Sequence, residues 1–191
     1  MRIVTGCLKP TPVEKLYPLT GIAPPHIRRE AAANTERKKQ ETDPRHCLYQ
    51  HQPVTRRLKS RRSFMSRTRV LETTQENNRL QAWNQEVQAP FDLREELAPG
   101  GEQPFTTWRS LNRLRTGVSR CKTNMHKWDL QLPDENLLCD CGAVQFPEHL
   151  LVCPNLQEPC TIQDLYLANK KALNVEFFWK HCVYLAGHGN E

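Results

Sequence analysis

Three cysteines and one histidine lie close together near the end of the chain, where Cys139, Cys141, His149 and Cys153 form the pattern C-x-C-x7-H-x3-C. Thiolate sulfur and imidazole nitrogen are preferred zinc ligands, and four protein ligands close the tetrahedral shell without room for a substrate water. The pattern therefore predicts a structural zinc site rather than a hydrolytic one. The alternatives are buried free cysteines around a core histidine, or a disulfide framework, which the lack of a secretory signal disfavours.

The spacing also predicts how the backbone presents these side chains. Cys139 and Cys141 would hold the metal from one tight turn, in which Gly142 relieves the backbone. His149 and Cys153 would share one helix face, because residues four apart lie one turn from each other. The site should thus join a turn to a short helix.

Two apolar stripes with helical spacing flank this cluster and predict the core around it. Upstream, Thr106 or Thr107 would cap a helix whose apolar side is Trp108, Leu111, Leu114 and Val118. Downstream, after a helix start at Thr161, the stripe is Leu165, Ala168, Ala172, Val175, Trp179 and Cys182. We predict one zinc-stabilised helical unit over residues 106–187, in which Cys160 and Cys182 pack in the core rather than ligate.

The charge of +6 is unevenly distributed along the 191 residues. Residues 1–70 carry 16 Lys and Arg against 5 Asp and Glu, and residues 108–127 carry 6 against none. The other two segments, residues 71–107 and 128–191, carry more acidic than basic residues. Basic segments of this kind favour a polyanionic partner, RNA or DNA in a cell, although a solvated charged surface is the alternative. The candidate contacts in the second segment are Arg109, Arg113, Arg115, Arg120 and Lys122.

These arginines have a helical geometry of their own. At 100° per residue, Arg109, Arg113 and Arg120 fall opposite the apolar face headed by Trp108. That arrangement holds only if Gly117 does not end the helix.

The first 105 residues predict short helices and a linker. A capping box at residues 11–14 predicts a helix from Pro12 that stops near Gly21, and a second helix follows over residues 26–40, within a helical segment 1–42. Residues 43–105 are a basic linker followed by a polar helix over about 70–87. The linker adds further candidate nucleic-acid contacts, namely Arg56, Arg57, Lys59, Arg61 and Arg62.

Composition and missing motifs limit the functional classes. Hydrophobic residues make up 38% and the mean hydropathy is -0.70, which predicts a thin core. The lack of alternating apolar runs predicts a mainly α protein. No apolar run is long enough to span a bilayer, and the basic runs favour a location inside the cell, in the nucleus or cytoplasm. The sequence shows no P-loop, dinucleotide fingerprint, nucleophile elbow or adjacent aspartates. We therefore expect no nucleotide polymerisation by this chain alone, since that reaction needs carboxylates holding two metal ions.

Two longer stretches resemble a known family. Residues 2–12 and 16–29 resemble the segment after the catalytic palm in reverse transcriptases of non-LTR retrotransposons, especially Jockey-like elements. Residues 108–128, followed by Cys139-Asp-Cys141-Gly and His149-Leu-Leu-Val-Cys153-Pro154, resemble the zinc-knuckle region of the same polyproteins. The order and separation of these motifs make the resemblance fairly specific.

The resemblance implies a thumb-like segment at residues 1–42 and a C-terminal zinc knuckle that binds RNA or DNA. It implies RNA-directed DNA polymerase activity for the intact polyprotein, while this chain resembles a fragment that begins after the palm and its catalytic aspartates. Activity would then require an intact reverse transcriptase as partner. Two alternatives stay open: a non-enzymatic, zinc-stabilised protein-interaction module derived from such an element, and a decaying copy without function.

Overall fold

A computed structural model describes residues 1–51, 74–87, 91, 93–130 and 136–183. Within these ranges the protein is mainly helical, as the sequence predicts, and its only extended pairing is a single antiparallel bridge between Leu138 and Val144. None of the described helices is long and apolar enough to cross a lipid bilayer.

The described residues form the following helices, in chain order. They are α1 (Arg2–Thr5), a 3-10 turn (Val13–Lys15), α2 (Leu16–Thr20), α3 (Pro25–Thr42), α4 (Gln75–Glu86), α5 (Phe105–Thr116), α6 (Lys122–Lys127), α7 (His149–Val152), α8 (Ile162–Leu167) and α9 (Lys170–Val183). The three helices expected in the first 87 residues are all found, although the first begins as a 3-10 turn and the polar helix begins at Gln75. The basic run at residues 56–62 lies outside the described residues.

The chain forms two compact units whose division differs from the predicted one at residues 42 and 105. One unit comprises Met1–Ile22 and Glu96–Glu191, and the other Ala23–Glu95. The amino-terminal residues join the first unit because α5 donates hydrogen bonds to their backbone. Trp108 Nε1 lies 2.9 Å from the Val4 carbonyl oxygen, and Asn112 Nδ2 lies 3.1 Å from that of Thr5.

Most of the core predicted around the cysteine cluster is found, although Trp108 and Val118 are not part of it and the Cys182 side chain lies outside the described residues. Leu111 and Leu114 of α5 pack with Leu165 and with Ala172, Val175 and Trp179 of α9, in one cluster that also contains Cys139, Cys153 and Cys160. The downstream stripe comes from two helices, since α8 begins with a capping box between Thr161 and Asp164 and ends where Ala168 adopts a positive φ of 49°. Trp179 also donates from Nε1 to the Leu150 carbonyl at 2.6 Å.

The predicted arginine face of α5 is wrong. Gly117, with φ 69°, ends the helix, so Arg120 lies beyond it. Arg113 and Arg115 are only 6% and 4% exposed. Their guanidinium groups hydrogen-bond backbone carbonyls inside the protein, Arg113 Nε reaching Gly6 at 3.0 Å, so they cannot present charge to a nucleic acid.

Arg115 connects three segments of this unit. Its guanidinium donates to the carbonyls of Leu165 at 2.8 Å and Pro99 at 2.6 Å and to Asn112 Oδ1 at 2.9 Å. The guanidinium carbon lies 5.4 Å from the centroid of the Trp108 ring, within cation–π range. Burial lowers the pKa of Arg115 to about 10, so the group remains charged at neutral pH.

The second unit pairs α3 with α4 in antiparallel orientation. His26 at the start of α3 lies 2.6 Å from Glu86 at the end of α4, measured from Nε2 to Oε2. Trp83 is fully buried. Arg79 forms a two-pronged ion pair with Glu95, with N–O distances of 2.5 and 2.6 Å.

Gly21 provides a test of the first unit. It ends α2 with φ 64°, and a Cβ there would overlap the backbone of Glu96. Gly117 has nearly the same φ, but its Cβ would meet only Pro147, at 4.0 Å. We expect Gly117→Ala to lower the free energy of unfolding by about 1 kcal/mol through backbone strain, and Gly21→Ala by at least roughly 3 kcal/mol through strain plus overlap. Urea denaturation of both variants measures the difference, and equal losses would contradict the described backbone contact.

Candidate metal centre

The four predicted ligands lie together. Their candidate ligand atoms, three Sγ and one His149 imidazole nitrogen, all lie within 4.8 Å of one another. Cys139, His149 and Cys153 are buried, and Cys141 is partly exposed. This is the only such group of three or more Cys, His, Asp and Glu side chains in the part of the chain that the structure describes.

A tight turn presents the first two cysteines. The Gly142 amide donates to the Cys139 carbonyl at 2.8 Å, and the Cys139 amide donates to the Ala143 carbonyl at 2.7 Å. Gly142 has φ 85°, a backbone conformation that favours glycine. The Leu138–Val144 bridge closes the base of this turn, so the predicted role of Gly142 is confirmed.

A single helical turn presents the other two ligands. His149 is the first residue of α7 and Cys153 follows its last. Leu150 and Leu151 of the same turn are buried in the core, which fixes the orientation of α7. The ligands therefore come from two local structures that the surrounding helices hold in place.

Two of the six distances between the candidate ligand atoms are close to those of tetrahedral coordination. Cys139 Sγ and Cys153 Sγ are 3.8 Å apart, and Cys141 Sγ and His149 Nε2 are 3.4 Å apart. Metal–sulfur bonds of about 2.3 Å and metal–nitrogen bonds of about 2.0–2.1 Å at tetrahedral angles require separations of about 3.8 Å and about 3.6 Å. The three cysteines are not in disulfides, whose sulfur atoms would be about 2.05 Å apart.

Backbone amides act to lower the pKa of two ligand thiols, and at Cys153 burial outweighs this effect. The Ala143 amide is the main cause that lowers the pKa of Cys141. For Cys153, burial raises the pKa to about 12, and the Asn155 amide acts in the opposite direction. In both cases the amide belongs to the second residue after the cysteine. Amide hydrogen bonds of this kind orient ligands and offset the charge of a metal-bound thiolate.

A site with four protein ligands would hold a cation without offering it an open coordination position for catalysis. A tetrahedral ion bound by three thiolates and one imidazole keeps no open position for water or substrate. Cys160 is buried but lies outside the group, with its Sγ 3.4 Å from the Thr161 carbonyl oxygen, as expected for a packing residue.

No protein-family model, curated protein or solved structure matches this chain.

The remaining predicted nucleic-acid contacts are dispersed. Arg109, Arg120 and Lys122 are partly exposed. Lys122 begins α6, and its Nζ lies 3.3 Å from Asn136 Oδ1. Lys122 therefore lies beside the segment of the metal-binding turn, beyond the end of the helix α5 with which the sequence grouped it.

Gln145 is a site residue that the sequence analysis missed. It is buried between the metal-binding turn and α6, where Oε1 accepts from the Lys122 amide at 3.0 Å. Its carbonyl oxygen accepts from the amide and the hydroxyl of Thr123, at 3.2 and 3.0 Å. The sequence signal was a glutamine between the apolar residues Val144 and Phe146, an alternation that places glutamine opposite its neighbours.

Proposed function

We propose that this protein is a non-catalytic nucleic-acid-binding module whose carboxy-terminal part is held together by one structural zinc ion. The four-ligand cluster is the observation that carries the zinc assignment, because its donor set is typical of structural zinc and two of its ligand–ligand distances are close to those of a tetrahedral site. Thiolate ligands also favour zinc over magnesium or calcium, which prefer oxygen.

Support for a nucleic-acid partner comes from the charge beside this site. The segment 117–127 contains Arg120, Lys122 and Lys127 and no acidic residue. Gln145 fixes the start of α6 to the metal-binding turn, so the ion would determine the position of two of these cations. A preorganised basic surface lowers the entropy cost of binding phosphates.

The wider setting that we propose is the carboxy-terminal part of a non-LTR retrotransposon reverse transcriptase. Support comes from the motif order noted in the sequence. The polymerase chemistry would belong to a palm supplied by another polypeptide or region, since this sequence offers no adjacent aspartates for two metal ions.

Salt titration of the zinc-loaded full chain tests the binding function. We expect dye-labelled single-stranded RNA and DNA to bind with an affinity that falls steeply with salt. The double substitution Lys122→Gln with Lys127→Gln should reduce the log–log salt slope by about 1.4, because each lost phosphate contact removes about 0.7. Fluorescence anisotropy at several salt concentrations measures both quantities.

The matched control removes two exposed lysines from the acidic carboxy-terminal segment, as Lys170→Gln with Lys171→Gln. This variant should keep the wild-type slope. Absent or salt-independent binding by folded, zinc-loaded protein would overturn the proposed function and favour the protein-interaction alternative. Equal slope reductions in both double variants would show that net charge, rather than the surface beside the metal, determines binding.

A further inference from the structure

The metal-binding turn exposes its apolar side chains and buries its polar one. Leu138, Val144 and Phe146 are 44%, 44% and 43% exposed, whereas Gln145 is 3% exposed. A ribbon that packs on a core normally shows the reverse pattern, with apolar residues inward. We call Leu138, Val144 and Phe146 the ribbon patch.

The three residues of the ribbon patch are exposed around the metal-binding turn. Leu138 and Val144 are directly paired across the antiparallel bridge, which places their side chains side by side. Phe146 follows after a tight turn, in which its amide donates to the Val144 carbonyl oxygen at 3.2 Å. The Phe146 ring centroid is 6.0 Å from that of the metal ligand His149, and the rings are tilted by 52°. One side of the Phe146 ring therefore rests on the buried site while the ring remains half exposed.

Charge surrounds the patch asymmetrically. Asn136 Oδ1 accepts both from the Leu138 amide at 2.9 Å and from Lys122 Nζ at 3.3 Å, so a cation lies at the Leu138 end. Asp140 and Glu148 are exposed near the turn and α7 and would repel phosphates there. A polyanion bound across the patch would therefore be attracted to Lys122 at the start of α6 and repelled from the side of Asp140 and Glu148.

We propose that the ribbon patch is a stacking platform for unpaired nucleobases, with Phe146 under a base and Lys122 beside the adjoining phosphate. This inference rests on the proposed function and specifies its ligand as single-stranded nucleic acid, because a paired base cannot expose its face to a side chain. Aromatic platforms beside a basic surface bind single strands with little sequence preference. His149 supports the Phe146 ring, so the platform requires the loaded metal site.

The test uses the zinc-loaded full chain and a dye-labelled oligothymidylate of about 12 nucleotides. Phe146→Leu keeps apolar bulk but removes the aromatic face, and it should weaken binding roughly tenfold while the salt slope stays unchanged. Phe146→Trp should retain the affinity. The control Phe105→Leu changes another exposed phenylalanine, 53% exposed on α5, and should bind as the wild type does. A matched duplex should be insensitive to all three substitutions.

The outcomes separate this inference from the proposed function. Wild-type affinity in Phe146→Leu, or equal weakening in Phe105→Leu, would overturn the stacking platform and leave nucleic-acid binding intact. Failure of the wild-type protein to bind any oligonucleotide would overturn both. If Phe146→Leu loses zinc, its weaker binding could result from the lost metal site. The test then uses the fluorescence of the indole introduced by Phe146→Trp. Oligothymidylate should quench its fluorescence beyond the wild-type change, and absence of extra quenching would overturn the platform.

Discussion

Replacing Cys153 with serine should abolish zinc binding and unfold the carboxy-terminal part of the first unit. Cys153 is 3% exposed, belongs to the central apolar cluster and lies 3.8 Å from the sulfur of Cys139. Structural zinc binding contributes on the order of 10 kcal/mol to folding in small metal-dependent domains. That amount is comparable with the whole stability of a typical domain, about 5–15 kcal/mol.

Elemental analysis and circular dichroism of the full chain measure this effect. The Cys153→Ser variant should contain no stoichiometric zinc and should lose helix content and its high-temperature unfolding transition. Cys47→Ser is the matched control, since Cys47 is exposed and lies outside the cluster. This control should keep the zinc content and melting curve of the wild type. Unchanged helicity and melting in Cys153→Ser would refute a folding role for the metal.

Replacing Arg115 with methionine should cause the largest loss of stability that does not involve the metal. Methionine fills similar space but cannot donate to the carbonyls of Leu165 and Pro99 or to the side chain of Asn112. Each buried acceptor left without a donor costs about 1–3 kcal/mol. We expect a total loss of about 3–5 kcal/mol.

The conservative variant shows whether geometry or charge matters at this position. Arg115→Lys keeps the charge, but its single ammonium group cannot reach acceptors on three segments, so we expect a loss of about 2 kcal/mol. Lys171→Ala is the surface control, because its ion pair with Glu158 is long, at 3.8 Å, and both side chains are largely exposed. It should cost less than about 0.5 kcal/mol. Urea unfolding curves measure all three, and a loss below about 1 kcal/mol in Arg115→Met would contradict the described network.

The local features of the site could be predicted from sequence because they depend on neighbouring residues. Spacing alone located Cys139, Cys141, His149 and Cys153, and the three-and-four periodicity identified the apolar face of α9. The positive φ at Gly142 followed from the short interval between the first two cysteines.

The burial of the α5 arginines could not be predicted from local sequence patterns. Helical periodicity treats arginine as a surface residue, and it placed Arg113 opposite the apolar face. The structure buries Arg113 and Arg115 because carbonyls from distant segments converge on them, including Gly6, Pro99 and Leu165. Gly6 lies 107 residues from Arg113 in the sequence, and Leu165 lies 50 residues from Arg115. No local sequence pattern indicates contacts over such separations.

The division into units could not be predicted for the same reason. The sequence suggested a separate helical segment at residues 1–42, which the resemblance implies to be thumb-like. In the structure residues 1–22 belong with the carboxy-terminal part, and Lys15 Nζ donates to the Thr116 carbonyl at 2.8 Å. The partners in this contact and in those of Trp108 and Asn112 lie 101 to 107 residues apart, so no local pattern signals them.

X-ray absorption at the zinc edge, combined with metal quantification on the purified full chain, tests the central claim most directly. The proposed site predicts one zinc ion per chain, with three sulfur neighbours at about 2.3 Å and one nitrogen neighbour at about 2.0–2.1 Å. Protein that is folded without metal, or zinc with a bound water in place of one of Cys139, Cys141, His149 and Cys153, would contradict the closed structural site.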